Sequence, residues 1–170
     1  MLESNKIKMK IRSVRYDVEE SLFAKLAGEM LDAEIGYDDE NELFYDEEDA
    51  IELNTEGVMN LDGERVELVY EESEITGMEG SRTSVVFDKD NAGLVSMLRD
   101  GTVSTALVFE RGKRHHCVYN TPIMPFEICV RTLKVDNNIL ESGRLALDYV
   151  IEIRGAKAER TKFELEIIKL

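Results

Sequence analysis

The chain has 170 residues, 43% of them hydrophobic, and a formal net charge of −15. That length sets an expectation of one domain, residues 1–170, with enough apolar content to bury a core unaided. No apolar run approaches the roughly 18 residues of a membrane helix, and the opening MLESNKIKMKIRSVRY holds no apolar signal core, so the expected compartment is the cytoplasm.

The charge is uneven. Residues 17–50 carry 14 Asp and Glu against Lys25 alone, and the remainder is nearly balanced. Such a block repels phosphate, which makes nucleic acid and anionic membranes poor partners. It suits a basic protein partner, or it is simply a solvated insertion. Cys117 and Cys129 are expected as thiols rather than a disulfide, and two cysteines without close ligands make a poor metal framework.

The first expected element is a strand over Lys6–Tyr16, where Ile7, Met9 and Ile11 alternate with lysines and Arg12. The period then changes. Leu22, Phe23, Leu26, Ala27, Met30 and Leu31 fall on one side of a 3.6-residue helix, predicting a short amphipathic helix that lies on the sheet or plugs one end of a barrel. It belongs to an acidic insert spanning 17–50, whose end holds a short strand near Leu43–Tyr45 or a loop.

From Ile51 onward the chain reads as strands separated by turns. Leu61-Asp62-Gly63-Glu64 and Asp100-Gly101 are hairpin signals, and Arg111-Gly112-Lys113 is a third turn. Expected strands cover Ile51–Leu61, Arg65–Glu72, Arg82–Asp88, Gly93–Arg99, Thr102–Phe109 and His115–Asn120. Thr121-Pro122-Ile123-Met124-Pro125 interrupts the ladder because proline lacks a donor. Strands resume over Phe126–Val135, Arg144–Arg154 and Arg160–Lys169, with Leu145, Leu147, Tyr149, Ile151 and Ile153 forming one inward row. Nine or ten short alternating strands describe an antiparallel barrel.

Several stretches in this order are similar to one known family. They are ELNTEGV (Glu52–Val58), YEESEITGMEGSRT (Tyr70–Thr83), LRDG (Leu98–Gly101), LVFERGKR (Leu107–Arg114), YNTP (Tyr119–Pro122) and PFEICVRT (Pro125–Thr132). Together they resemble the YwiB-like family, a bacterial domain of unknown function. The resemblance implies a cytosolic, lipocalin-like (calycin-type) β-barrel and supplies no catalytic residues. Met124 stands where the family pattern more often has glycine, and the acidic insert is longer than the usual connection.

Candidate sites follow from residue chemistry. Arg111, Lys113, Arg114 and His115 cluster on and beside a turn and could hold an anion, or form a charged, solvated turn. Alternation puts His115, Cys117 and Tyr119 on one strand face and His116 on the other, which is too few ligands for zinc. Tyr70-Glu71-Glu72 with Glu74 offers carboxylates, read here as a solvated face. Thr76-Gly77-Met78-Glu79-Gly80-Ser81 enters a strand rather than a helix, so it reads as a corner and not a phosphate loop. An arginine aimed into a barrel would hook a carboxylate or phosphate; Arg99 and Arg131 are the candidates, with a structural ion pair to Glu127 or an acid on a neighbouring strand as the alternative. No nucleophile elbow or triad order is present.

The expectation is a mainly β, antiparallel lipocalin-like barrel with one short N-terminal amphipathic helix, non-enzymatic and without a cofactor. It would bind a small apolar or amphiphilic molecule against a lining of Tyr70, Phe87, Arg99, Phe109, Tyr119, Phe126, Arg131 and Tyr149. The alternative is a filled barrel that acts as a protein-interaction or structural module through its acidic insert or a sheet edge. A monomer or weak dimer is expected in either case.

Overall fold

The computed structural model describes residues 2–18, 46–73, 79–102, 104–153 and 158–169. The expected N-terminal helix, the region around Leu43–Tyr45, and residues 74–78 of the glycine-rich corner lie outside the described residues.

Among these residues ten strands form one antiparallel sheet: β1 (Leu2–Val18), β2 (Asp46–Asp62), β3 (Arg65–Glu71), β4 (Arg82–Asp88), β5 (Asn91–Asp100), β6 (Thr105–Glu110), β7 (Arg114–Asn120), β8 (Pro125–Asn138), β9 (Arg144–Ile153) and β10 (Ala158–Lys169). Their order is β6-β5-β4-β3-β2-β1-β10-β9-β8-β7, so the two termini meet as neighbours β1 and β10 in mid-sheet. Bulges at Lys8/Met9, Arg15/Tyr16, Val86/Asp88 and Thr132/Lys134 interrupt the register. Each extra residue raises local twist and bends the sheet toward closure.

The outermost strands β6 and β7 almost close the barrel. At one end Ser104 and Asn120 exchange backbone hydrogen bonds of 3.0 and 2.8 Å. At the other, the turn between them is tied to β8, where Gly112 N–H donates to the Thr132 carbonyl at 2.9 Å and Thr132 N–H donates to the Lys113 carbonyl at 3.1 Å. Among the described residues the chain forms the antiparallel barrel expected from the alternation, at the upper end of the nine or ten strands read from it. Among the described residues, helix is confined to a single turn, α1 (Ile139–Ser142), whose Ile139 is buried.

Two differences from the sequence reading have clear causes. β1 and β2 run longer than their hydrophobic patterns, because antiparallel pairing continues past the apolar residues as far as Asp17 opposite Asp46. The proline-bearing stretch is a compact β7–β8 turn. Pro125 opens β8 opposite Asn120, where no ladder donor is required. The Thr121 hydroxyl accepts from the Ile123 and Met124 amides and donates to the Met124 carbonyl.

The interior is layered. Val66–Phe87 and Val95–Phe109 pair across β3–β4 and β5–β6, and the next level is Leu68, Val85, Met97 and Leu107 on four successive strands. All eight are 3% exposed or less. From the opposite wall Met9, Leu145, Leu147, Phe163 and Leu165 complete the core. The two ends differ. Short connections at Gly63-Glu64, Lys89-Asp90 and Arg111–Lys113, with α1, close one end. The opposite end receives the connections 19–45, 72–81, 101–104, 121–124 and 154–157.

Candidate functional site

One level above the apolar layers, toward the end with the longer connections, the inward row becomes polar. Tyr70, Thr83, Arg99 and Thr105 are successive register partners on β3, β4, β5 and β6. A second polar row, Arg15, Thr161, Tyr149 and Thr132, runs across β1, β10, β9 and β8. Period-2 alternation carries each strand from its apolar positions to these without a change of face.

Arg99 is the centre of this level. Its side chain is 13% exposed, and its Nε lies 3.9 Å from Glu72 Oε1. The Glu72 carboxylate is itself held by the Thr83 hydroxyl at 2.5 Å, and the Glu72 amide donates to the Ser81 carbonyl at 2.9 Å. Among the described residues Arg99 Nη2 donates to the Met97 sulfur at 3.4 Å, a weak acceptor. Its Nε is buried and makes no hydrogen bond among the described residues. The guanidinium, a five-donor group, is thus poorly matched with acceptors.

Two buried tyrosines flank it. Burial pushes the Tyr70 hydroxyl well above its ordinary value and the Glu72 charge adds to this, while Arg99 pulls the other way. Burial also raises Tyr149, opposed by Arg99, Arg15 and a hydrogen bond with Thr161. Both stay protonated phenols at neutral pH, able to donate or accept. The level therefore offers two cations, the buried Arg99 and the more exposed Arg15, with the Glu72 carboxylate and several hydroxyls.

Other expected lining residues fall elsewhere. Phe87 and Phe109 sit in the apolar layers below. Tyr119 is half-buried against the core. The side chain of Phe126 lies outside the described residues. Arg131 does not line the interior: its neighbours Val130 and Thr132 face in, and Arg131 faces out to form an ion pair with Glu152. The carboxylate run also divides. Glu71 is exposed as expected, but Glu72 is buried, because Thr83 and Arg99 stabilise it there. Its place two residues after Tyr70, on the same face, was the available signal.

The expected anion cluster does not converge. Arg111 and Lys113 are exposed on the β6–β7 turn at the closed end. Arg114 faces outward and donates to Glu152 at 3.1 Å, while His115 faces inward with Nε2 3.7 Å from Glu110. A concavity of about 590 Å³ lies on the outer surface over β1–β4, floored by Val58 and Val69 and rimmed by Lys6, Lys8 and Arg82. Among the described residues no group of three or more His, Cys, Asp and Glu is placed to hold a metal, and no helix is long and apolar enough to cross a membrane.

These features define a ten-stranded, nearly closed antiparallel β-barrel domain with an apolar core and one polar end. Residues 40–165 match the family described as Domain of unknown function (DUF1934), and the chain belongs to that family. The crystal structure of the ywiB protein from Bacillus subtilis has the same fold, with a TM-score of 0.65 over 96% of this chain and 92% of that one at 19% identity. The YwiB-like resemblance read from the motifs therefore stands. No curated protein matches the chain.

Proposed function

We propose that this domain is a non-enzymatic binding module that takes the anionic head of a small amphiphilic molecule at the polar end of the barrel, with Arg99 as counter-charge. The observation that carries the reading is the Arg99 guanidinium itself: largely removed from water, with a buried Nε that makes no hydrogen bond among the described residues. A buried donor left unpaired is costly, and a ligand oxygen would relieve that cost. Tyr70 and Tyr149 supply hydroxyls on either side, and a calycin-type barrel offers its open end to a ligand in the same way.

The alternative, a filled barrel acting as an interaction module, draws support from the tight apolar layers beneath this ring. One experiment separates them. Thermal unfolding is followed with decanoate as probe, alongside native mass spectrometry of protein from its own host. The binding reading expects a decanoate-dependent rise in Tm in the parent, reduced in an Arg99→Met/Glu72→Gln variant that keeps the ring neutral. Saturation at about one hundred times Kd corresponds to about 2.7 kcal/mol. No co-purified small molecule, together with no shift from decanoate or a panel of lipophiles, overturns it.

A further inference from the structure

The concavity on the outer surface of β1–β4 is centred on Ile7, Gly57 and Tyr70, register partners on β1, β2 and β3. The side chains of Ile7 and Tyr70 turn into the core, and Gly57 has none. Gly57 lets β2 press inward on Met9 and the Val69 carbonyl, where a Cβ would overlap both. The backbones of this row therefore form a dip that crosses the strands. Alternation puts the residues on either side of each row member on the outer face, so two lines of side chains flank the dip. One is Lys6, Val58 and Val69, themselves register partners; the other is Lys8 and Glu56, continued by Glu71 and Arg82. Val58 and Val69 are half-buried, and the charged residues are exposed.

The charges are arranged unevenly along this trough. At the β3–β4 end Arg82 Nε donates to the Glu71 carboxylate at 3.2 Å, so that pair satisfies itself. At the β1 end the cations are free: Lys10 pairs with Glu52 at 3.5 Å, whereas Lys6 and Lys8 have no ion-pair partner among the described residues. They stand on one face of β1 two residues apart, about 7 Å along the strand, and can straddle a single anionic group. Glu56, opposite Lys8, repels a second negative charge. The lining holds three cations against two carboxylates, in a chain whose net charge is −15. The local balance thus selects a monoanion, and Val58 and Val69 offer apolar contact beside it.

We propose that this trough is a second binding site, for a small organic monoanion with an apolar body. The carboxylate or sulfonate of the ligand sits between Lys6 and Lys8, and its body lies across Val58 and Val69 toward the Glu71–Arg82 pair. The concavity, about 590 Å³, falls within the range of about 300–1,000 Å³ usual for small-molecule sites. Its reach from β1 to β4 is about 14 Å at ordinary strand spacing, the length of a two-ring aromatic acid with a substituent. The sheet separates this site from Arg99, so it does not depend on the polar end of the barrel being a binding site.

Anilinonaphthalene sulfonate, a fluorescent monoanion with an aromatic body, is the probe, and phenylnaphthylamine is its neutral counterpart. Titration of the full-length chain is expected to saturate. In Lys6→Gln/Lys8→Gln, two exposed substitutions, Kd for the sulfonate rises about fivefold, as expected for the loss of two solvent-exposed ion pairs, while Kd for the neutral dye is unchanged. Val58→Ser weakens both dyes. The Arg99→Met/Glu72→Gln variant leaves the sulfonate Kd as in the parent, which keeps this site distinct from the barrel end. Amide chemical-shift mapping of the unaltered protein is expected to place the dye-induced changes at 6–8, 56–58 and 69–71. Absence of saturable binding, or an unchanged sulfonate Kd in the lysine variant, overturns the proposal. So do shift changes confined to other residues, including those around Arg99.

Discussion

Phe109 of β6 and Tyr149 of β9 meet with ring centroids 4.6 Å apart and planes inclined at 49°. This tilted contact joins the strand next to the barrel's closure to the opposite wall, just below the polar ring. Aromatic pairs add about 0.5–1.5 kcal/mol beyond their buried area, and loss of a core Phe side chain costs about 3–5 kcal/mol. Phe109→Ala is therefore expected to lower stability by that amount, and Phe109→Leu by less than half as much. Urea unfolding midpoints at constant m-value check both.

Tyr70 and Tyr149 make stability fall in alkali. Burial raises both folded-state pKa values above the ordinary 10. A raised value means the contribution is complete below pH 10. It is lost above that, because the unfolded phenol ionises and the folded one does not. Each buried tyrosine then contributes a loss of about 1.4 kcal/mol per pH unit. The urea midpoint is expected to drop between pH 10 and 11, and to drop less steeply in Tyr149→Phe. Equal slopes in the two proteins would contradict the assignment.

Gly57 sits where β2 passes between Ile7 on β1 and Tyr70 on β3. A Cβ there would overlap the Met9 terminal methyl and the Val69 carbonyl oxygen. The methyl can swing aside, but the carbonyl belongs to a paired strand and cannot. Gly57→Ala is expected to destabilise by about 1–3 kcal/mol, the usual cost of overpacking, whereas Gly93→Ala, which meets open space, should change little. Comparing the two thermal midpoints tests whether local crowding is the cause.

How far the fold was legible depends on the range of the interaction that decides each residue. Leu145, Leu147 and Tyr149 declare their face through a period of two, which is local, and Asp62-Gly63 declares its turn in the same way. Asp46–Asp49 read as the end of the acidic insert because their composition is polar, yet their backbones pair with β1, a partner that no local pattern reveals. Glu72 looks like a surface carboxylate until Thr83 and Arg99 arrive from two other strands. Arg131 needed the phase of β8 relative to β9, and the bulge between Thr132 and Lys134 belongs to that pairing. The polar ring was thus only half visible: its tyrosines and Arg99 declare an inward place, while Glu72 reads as part of a solvated face and the threonines carry no signal of a site.

Asp148 of β9 and Arg160 of β10 form a two-pronged ion pair on the outer wall of the barrel, the face of the sheet turned away from the core. The guanidinium is fully buried, its pKa is pulled down to about 10 by desolvation, and both Nε and Nη2 donate to the one carboxylate. Bringing two such charges out of water costs several kcal/mol per ion, so the pair is no large net source of stability. Breaking it is another matter. Asp148→Asn removes the charge of the carboxylate that both Nε and Nη2 bind and is expected to cost about 3–5 kcal/mol. Replacing both, as Asp148→Leu with Arg160→Met, should cost far less than the sum of the single changes, because the two charges that bind each other leave together. A double-mutant cycle in urea measures the coupling. Additive single and double losses would mean that the outer wall is wet at this point, and that the pair behaves as an ordinary surface bridge worth about 1 kcal/mol or less.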